Sequence, residues 1–280
     1  MRFIDTHCHL DAAEFGGEPA DVVDGAAAAG VNTLVLPAVE RANFAAVRSL
    51  CVRFPGCAPA YGIHPMYTER AQPEDLAVLR EFLASPDTVA VGEIGLDYFI
   101  PHHDRAQQEY YFVEQLKLAR TYDLPVLLHI RRAQDAVLKQ LRRFYGRGGL
   151  ASTGSGQAST GLRAGIAHAF NGSRQQADEF IRLGFKLGFG GAMTYPRATR
   201  LRELAATLPL DCIVLETDAP DIPPSFLEPG RPNKPELLPR IAQTLAELRG
   251  TSPEQIAAAT SANALAVLPR LTNHPGIYQS

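Results

Sequence analysis

Apolar positions along the chain follow two patterns that alternate. Short β-rich runs, such as 33–36 and 126–128, give way to longer stretches in which apolar residues recur at helical spacing. The spacing predicts strands at 2–5, 33–36, 58–61, 89–91, 126–128, 165–167, 185–187 and 213–215. A helix follows each one, at 19–30, 41–54, 74–84, 104–122, 133–145, 173–183, 197–208 and 236–249. Strict alternation requires parallel strands joined by helical crossovers, and about eight such units in roughly 250 residues is the usual size of a (β/α)8 TIM barrel. The expected architecture is therefore one α/β barrel domain over residues 1–280. A last helix at 252–268 begins with Ser252-Pro253-Glu254, an N-cap with proline at the first helical position.

Two segments interrupt this rhythm. Residues 146–161 are a Gly/Ser/Thr tract of coil-forming composition. Ser155 stands there where a phosphate-binding loop needs lysine, and no strand leads into it. Lying between a helix and a strand, the tract is expected at the N-terminal face of the barrel, away from the chemistry and dispensable for it. Residues 219–235 carry prolines at 220, 223, 224, 229, 232 and 235, which excludes helix or sheet interior. This loop leaves the last strand at the catalytic face and is expected to wall the pocket.

With 46% hydrophobic residues the chain can bury one large core. No apolar run approaches the roughly 18 residues of a membrane span, and no charged leader precedes a long apolar stretch, so a cytoplasmic protein with no membrane partner is expected. Cys8, Cys51, Cys57 and Cys212 form no C-x-x-C pair, which suits reduced thiols used in packing. The net charge of −3 excludes a broad basic face for duplex nucleic acid. A nucleic-acid substrate would be held locally, by a metal site and a few arginines. Nothing in the chain indicates an obligate protein partner.

Ligand-type residues fall in register with the strands. The first strand runs into His7-Cys8-His9, and on extended backbone the two imidazoles share one side while Cys8 faces away. His64 follows the third strand, Glu93 ends the fourth, His129 the fifth, His168 the sixth and Asp218 the eighth. In a barrel these ends share one face, where active sites are built. Five histidines and two carboxylates at one mouth are a metal-site pattern. His102, His103 and His274 fall outside it.

The strings Asp5-Thr6-His7-Cys8-His9-Leu10-Asp11, Gly62-Ile63-His64-Pro65, Gly92-Glu93-Ile94-Gly95-Leu96-Asp97, His168-Ala169-Phe170-Asn171-Gly172 and Glu216-Thr217-Asp218-Ala219-Pro220 resemble the signature blocks of the TatD-like metal-dependent deoxyribonucleases. The blocks stand in the family's order over nearly the whole chain. Within the family the likeness is strongest to the YjjV-like branch, where Arg231-Pro232-Asn233-Lys234-Pro235-Glu236 also has a counterpart. The resemblance implies two divalent metal ions, with His7, His9 and Asp218 on one, His129 and His168 on the other, and Glu93 bridging. The family often has His-Cys-Phe-Thr-Gly where this chain has His168-Ala169-Phe170-Asn171-Gly172, which changes the wall beside the ligand.

Two cations about 3.5–4 Å apart can activate a water and clamp the attacking and leaving oxygens of a phosphodiester. None of the four lysines lies at the fourth-strand end to supply a carboxylated bridge, which also leaves that role to Glu93. Asp218 can accept the proton of the attacking water. His64 either binds phosphate or caps its strand, and Arg131 either neutralises phosphate or pairs with Asp135. Asp97 and Tyr98 are candidate supports, and Asn233 serves either the proline loop or a substrate. The expected reaction is hydrolysis of phosphodiester bonds from the ends of single-stranded DNA or RNA, with zinc, magnesium, manganese or nickel as the metal. The alternative is a carbonyl substrate, an aminoacyl ester, amide or lactone, on the same dinuclear site. A metal-binding protein without turnover is disfavoured by the proton-transfer groups present.

Overall fold

The computed structural model describes residues 1–145 and 163–274. Its strands are β1 Phe3–Asp5, β2 Val31–Pro37, β3 Cys57–Tyr61, β4 Ala90–Asp97, β5 Val126–Arg131, β6 Ile166–Ala167, β7 Lys186–Phe189 and β8 Ile213–Leu215. They form one eight-stranded sheet in chain order, each strand parallel to the next. The helices between them are α1 Pro19–Ala28, α2 Arg41–Arg53, α3 Asp75–Leu83, α4 Arg105–Thr121, α5 Gln134–Tyr145, α6 Arg174–Arg182, α7 Thr199–Thr207 and α8 Leu238–Arg249, with α9 Pro253–Val267 at the end. The expected (β/α)8 architecture is the observed one. The tract 146–161, expected at the N-terminal face, lies outside the described residues.

β4 and β5 run past their expected ends, to Asp97 and Arg131, so Glu93 lies inside a strand and not at its end. The sequence hides this because Gly92 and Gly95 look like turn residues. Gly95 instead sits at φ 149, and a Cβ there would collide with the His129 carbonyl of the neighbouring strand. Glycine is what lets β4 approach β5 this closely.

Two layers of apolar side chains follow from the strand alternation. Phe3, Leu128, Ile94 and Leu96 join the core shared with the helices. Ile4, Val35, Ala58, Leu127 and Val214 form a second cluster with Ala264, Val267 and Leu268 of the α9 region. Asn263 of α9 donates to the carbonyls of Leu210 and Ile213, and Ser261 to that of Arg2, all at strand entrances. The last helix therefore covers the N-terminal end of the barrel, and the C-terminal end is left for chemistry.

The seam between β1 and β8 closes just beyond the strands. Thr6 N–H donates to the Leu215 carbonyl, Asp218 N–H to that of His7 and His9 N–H to that of Ala219. Asp5, 0% exposed, pins this seam. Its Oδ1 accepts from the backbone N–H groups of His7 (3.2 Å) and Thr217 (2.9 Å), and its Oδ2 from the Thr217 hydroxyl (2.5 Å). Burial pushes the Asp5 carboxyl up to about 7 despite these donors.

Thr217→Val removes the hydroxyl from this clasp and leaves a buried carboxylate oxygen short of a partner. We expect a loss of roughly 1–3 kcal/mol of folding stability, measured by chemical denaturation. A change within experimental error would show that the backbone bonds alone close the seam.

Candidate metal centre

Strand alternation aims the candidate ligands. Because Ile94 and Leu96 pack toward the helices, Glu93 and Asp97 face the barrel axis; because Leu128 does so, His129 faces inward as well. Cys8 is fully buried in the outer core, which turns His7 and His9 to the other side. Asp218 sits at φ 58 and Ala169 at φ 42, conformations that cost a non-glycine residue on the order of 1–2 kcal/mol each. Both are held by backbone donors: Asp218 N–H to the His7 carbonyl and Ala169 N–H to Glu216 Oε1.

The result is two groups of ligand atoms on one carboxylate. Around Glu93 Oε2, His7 Nε2 lies at 3.2 Å and His9 Nε2 at 3.7 Å, and the two imidazole nitrogens are 3.2 Å apart. Asp218 Oδ1 is 3.7 Å from His7 Nε2, 3.6 Å from His9 Nε2 and 3.4 Å from His168 Nε2. Around Glu93 Oε1, His129 Nδ1 lies at 3.0 Å and His64 Nε2 at 3.6 Å. Ligand atoms about 2.0–2.2 Å from a zinc-sized ion at tetrahedral angles are about 3.3–3.6 Å from one another. The Asp218 Oδ1 distances to His9 and His168 fall in that range, and the 3.0 Å and 3.2 Å contacts of Glu93 with His129 and His7 are at hydrogen-bond distance. His7 Nε2 and His9 Nε2, 3.2 Å apart beside two carboxylates, are ligand atoms of the type a divalent cation takes.

The groupings of His168 and His64 differ from those the resemblance implies. The His168 ring stacks on His7 with centroids 3.5 Å apart, and its ligand nitrogen clusters with the His7 nitrogen and a Glu93 carboxylate oxygen. His64 clusters with Glu93 and His129. Its Nδ1 accepts the Met66 backbone N–H at 3.1 Å, so Nδ1 is unprotonated and the neutral ring carries its proton on Nε2. Burial, and then the charge on His129, hold His64 down at about 4, so the ring is neutral near pH 7. His64 thus both caps its turn and presents an N–H to the mouth.

Two further carboxylates orient the imidazoles, as second partners of metal-binding histidines usually do. Asp97 Oδ2 lies 3.0 Å from His129 Nε2. Burial disfavours charge on His129, but the hydrogen bonds to Asp97 and Glu93 outweigh it and lift the ring to about 9. Glu216 Oε1 lies 3.1 Å from His168 Nδ1, too obliquely for a good hydrogen bond. Against the cost of burial, the charges of Glu216 and Asp218 still raise His168 well above the usual imidazole range. Gly188 makes room for Glu216, since a Cβ there would collide with its carboxylate. His7 goes the other way, lowered by burial and by the charge on His168. For Glu93 and Asp218 burial favours the neutral acid, yet surrounding imidazoles keep both below the ordinary carboxylate range.

The remaining candidates separate cleanly. Arg131 does not pair with Asp135; its guanidinium lies 3.7 Å over the Phe99 ring, and Asp135 accepts from Gln176. Asn233 is fully buried and its Nδ2 donates to the carbonyls of Thr217, Asp221 and Ile222, so it holds the proline loop. Tyr98 gives its hydroxyl hydrogen to Glu109. Glu216 received no role from the sequence, although Val214 inward two residues earlier marks the position as inward too. Cys8, Cys51, Cys57 and Cys212 are all free thiols. Among the described residues no helix is long and apolar enough to cross a membrane.

The family model for TatD-related DNases matches residues 4–269. The metal-dependent hydrolase YjjV of Escherichia coli strain K12 is 42% identical over 260 residues, covering 92% of this chain and 94% of the relative. The crystal structure of Escherichia coli YjjV superimposes with a TM-score of 0.87 at 40% identity over 96% of this chain and 98% of that one. The 3'-5' ssDNA/RNA exonuclease TatD of Erwinia billingiae is 32% identical over 265 residues, covering 93% of this chain and 96% of the relative.

Two outcomes are expected of metal binding. The His129 ring is charged below about 9, so a cation that takes Nδ1 must displace a proton while Nε2–H stays on Asp97. Affinity should therefore rise with pH up to about 9 and flatten above it, with about one proton or more released per chain, read by calorimetry in buffers of different ionisation enthalpy. Binding with no proton release at neutral pH would contradict this. In Glu93→Ala the two groups lose the carboxylate they share, and metal content should fall at both; elemental analysis showing wild-type stoichiometry and affinity would rule out sharing.

Proposed function

This chain belongs to the TatD-related DNase family of metal-dependent hydrolases, and from that premise we propose that it cleaves phosphodiester bonds at the ends of single-stranded DNA or RNA. The observation that carries the reading is Glu93, whose two oxygens each face a separate group of imidazoles at the open end of the barrel. A relative bearing the name of a 3'-5' ssDNA/RNA exonuclease supports the substrate class.

His7, His9 and Asp218 would hold one divalent cation, His129 and His168 a second, and Glu93 both. His168 Nε2 lies 3.4 Å from Asp218 Oδ1 and clusters with the His7 nitrogen and a Glu93 oxygen, so its place beside His129 on the second cation follows the family pattern and not this grouping. Zinc, magnesium, manganese or nickel bound there would supply Lewis-acid stabilisation of the phosphoryl charge and a nucleophile at neutral pH. Asp97 and Glu216 keep the His129 and His168 rings turned toward the centre. Asp218, with its side chain 14% exposed, offers a carboxylate oxygen to take the proton of the attacking water. His64 donates Nε2–H to a phosphoryl oxygen; its low pKa, about 4, keeps it a neutral donor near pH 7. Arg131 adds a planar cation at the rim.

A recessed site in a chain of net charge −3 favours strand ends over duplex, whose roughly 20 Å width needs a broad basic platform. Turnover of linear, circular and double-stranded DNA, RNA, and small esters and amides should be compared with each cation. Linear single strands are expected to be degraded and circular ones spared. Equal rates on circular and linear DNA would overturn the end preference, and turnover of an ester or amide alone would replace the phosphodiester reading with carbonyl hydrolysis.

A further inference from the structure

One basic-aromatic group on the catalytic face stands apart from the metal ligands. Arg131 and Arg132, both exposed at the end of β5, lay their guanidiniums 3.7 Å and 4.7 Å from the centroid of the Phe99 ring. Phe99 is itself 41% exposed. Neither arginine makes an ion pair among the described residues, whereas Arg41 and Arg70, also at the rim, are paired with Asp75 and Glu40. Asp97, across the strand pair from Arg131, already serves His129 and the Phe99 N–H. Arg131 also acts on the Asp97 carboxylate by charge, and neither guanidinium is closed in an ion pair among the described residues.

Their position is set by the strands. Arg131 lies two residues beyond His129 on extended backbone, so it shares the side that faces the mouth. Phe99 N–H donates to Asp97 Oδ1 at 2.9 Å, and Tyr98 N–H to the Arg131 carbonyl at 2.8 Å, so ring and guanidiniums are tethered to one framework. Arg132 is held at φ 55, a left-handed conformation that a side-chain-bearing residue rarely adopts. The carboxylate that anchors the Phe99 backbone is the one that orients His129.

We propose that Phe99, Arg131 and Arg132 form a subsite for the nucleotide adjoining the scissile bond. The guanidiniums bind its backbone phosphate, and the aromatic ring with its stacked cations offers a flat surface to the base. Stacking platforms beside a localised cationic track suit single strands without regard to sequence. The inference rests on the phosphodiesterase reading and adds to it a reason for preferring strands over mononucleotides.

The test compares kcat/KM on an oligodeoxythymidylate of about 12 nucleotides with kcat/KM on the methyl phosphodiester of thymidylate, which lacks the adjoining nucleotide, over a range of salt. Wild type should favour the longer strand. Phe99→Ala should cut that preference about tenfold and Phe99→Tyr restore it. Arg132→Gln, which touches neither Asp97 nor a candidate ligand, should flatten the dependence of log KM on log salt by about 0.7, while Arg132→Lys should retain the slope and lose part of the length preference. Wild-type preference and salt slope in both Phe99→Ala and Arg132→Gln would overturn the subsite and leave the nuclease reading standing. If wild type turns over no nucleic acid with any cation, the reading fails and the subsite with it.

Discussion

A carboxylate almost sealed from water among imidazoles is the constraint around which this molecule is arranged. The Glu93 side chain is 3% exposed and has ring nitrogens of four histidines within 3.7 Å. A buried charge without such compensation costs several kcal/mol, so the surrounding strands must deliver cationic or metal-ready partners to both oxygens. They do so from opposite sides of the barrel, since His7 and His9 follow β1 and His129 lies on β5. Strands β1, β3, β4, β5, β6 and β8 thereby carry the polar cluster at or just past their C-terminal ends, while apolar packing fills the barrel toward its N-terminal end.

Support for the imidazoles follows from the same demand. Each ring that reaches the centre with one nitrogen must dispose of the other. His129 gives its second nitrogen to Asp97, His168 turns its own toward Glu216, and His64 accepts a backbone N–H. The three solutions produce two electrostatic states: His129 and His168 raised, His64 lowered. Rings of identical chemistry are thus set to different protonation behaviour by what stands behind them.

Much of this arrangement is legible in the amino-acid sequence. Alternation of apolar runs marks every strand and helix, and the inward positions of His129 and Asp218 follow from where strands have to end. The greater length of β4 is hidden for a physical reason: Gly92 and Gly95 are turn residues by habit, and only the closeness of β5 explains them as strand. The neighbours of His64 and His168 are equally out of reach. Which imidazole faces which carboxylate depends on barrel curvature and on the left-handed turns at Ala169 and Asp218, and neither is encoded in residue spacing. Asn233 and Arg131 show the same limit, because a hydrogen-bonding side chain in a loop does not announce its partner.

The seam pinned by Asp5 and Thr217 joins residues 212 positions apart. On a ribosome, the two histidines at the start of the chain emerge long before Asp218, and the helix that covers the barrel floor emerges later still. During that interval His7 and His9 stand on an incomplete sheet. Non-local closure of this kind is slow by nature. The cluster around Glu93 is consequently complete only once β8 has closed on β1, and the early histidines spend translation without the acidic partners that later face them.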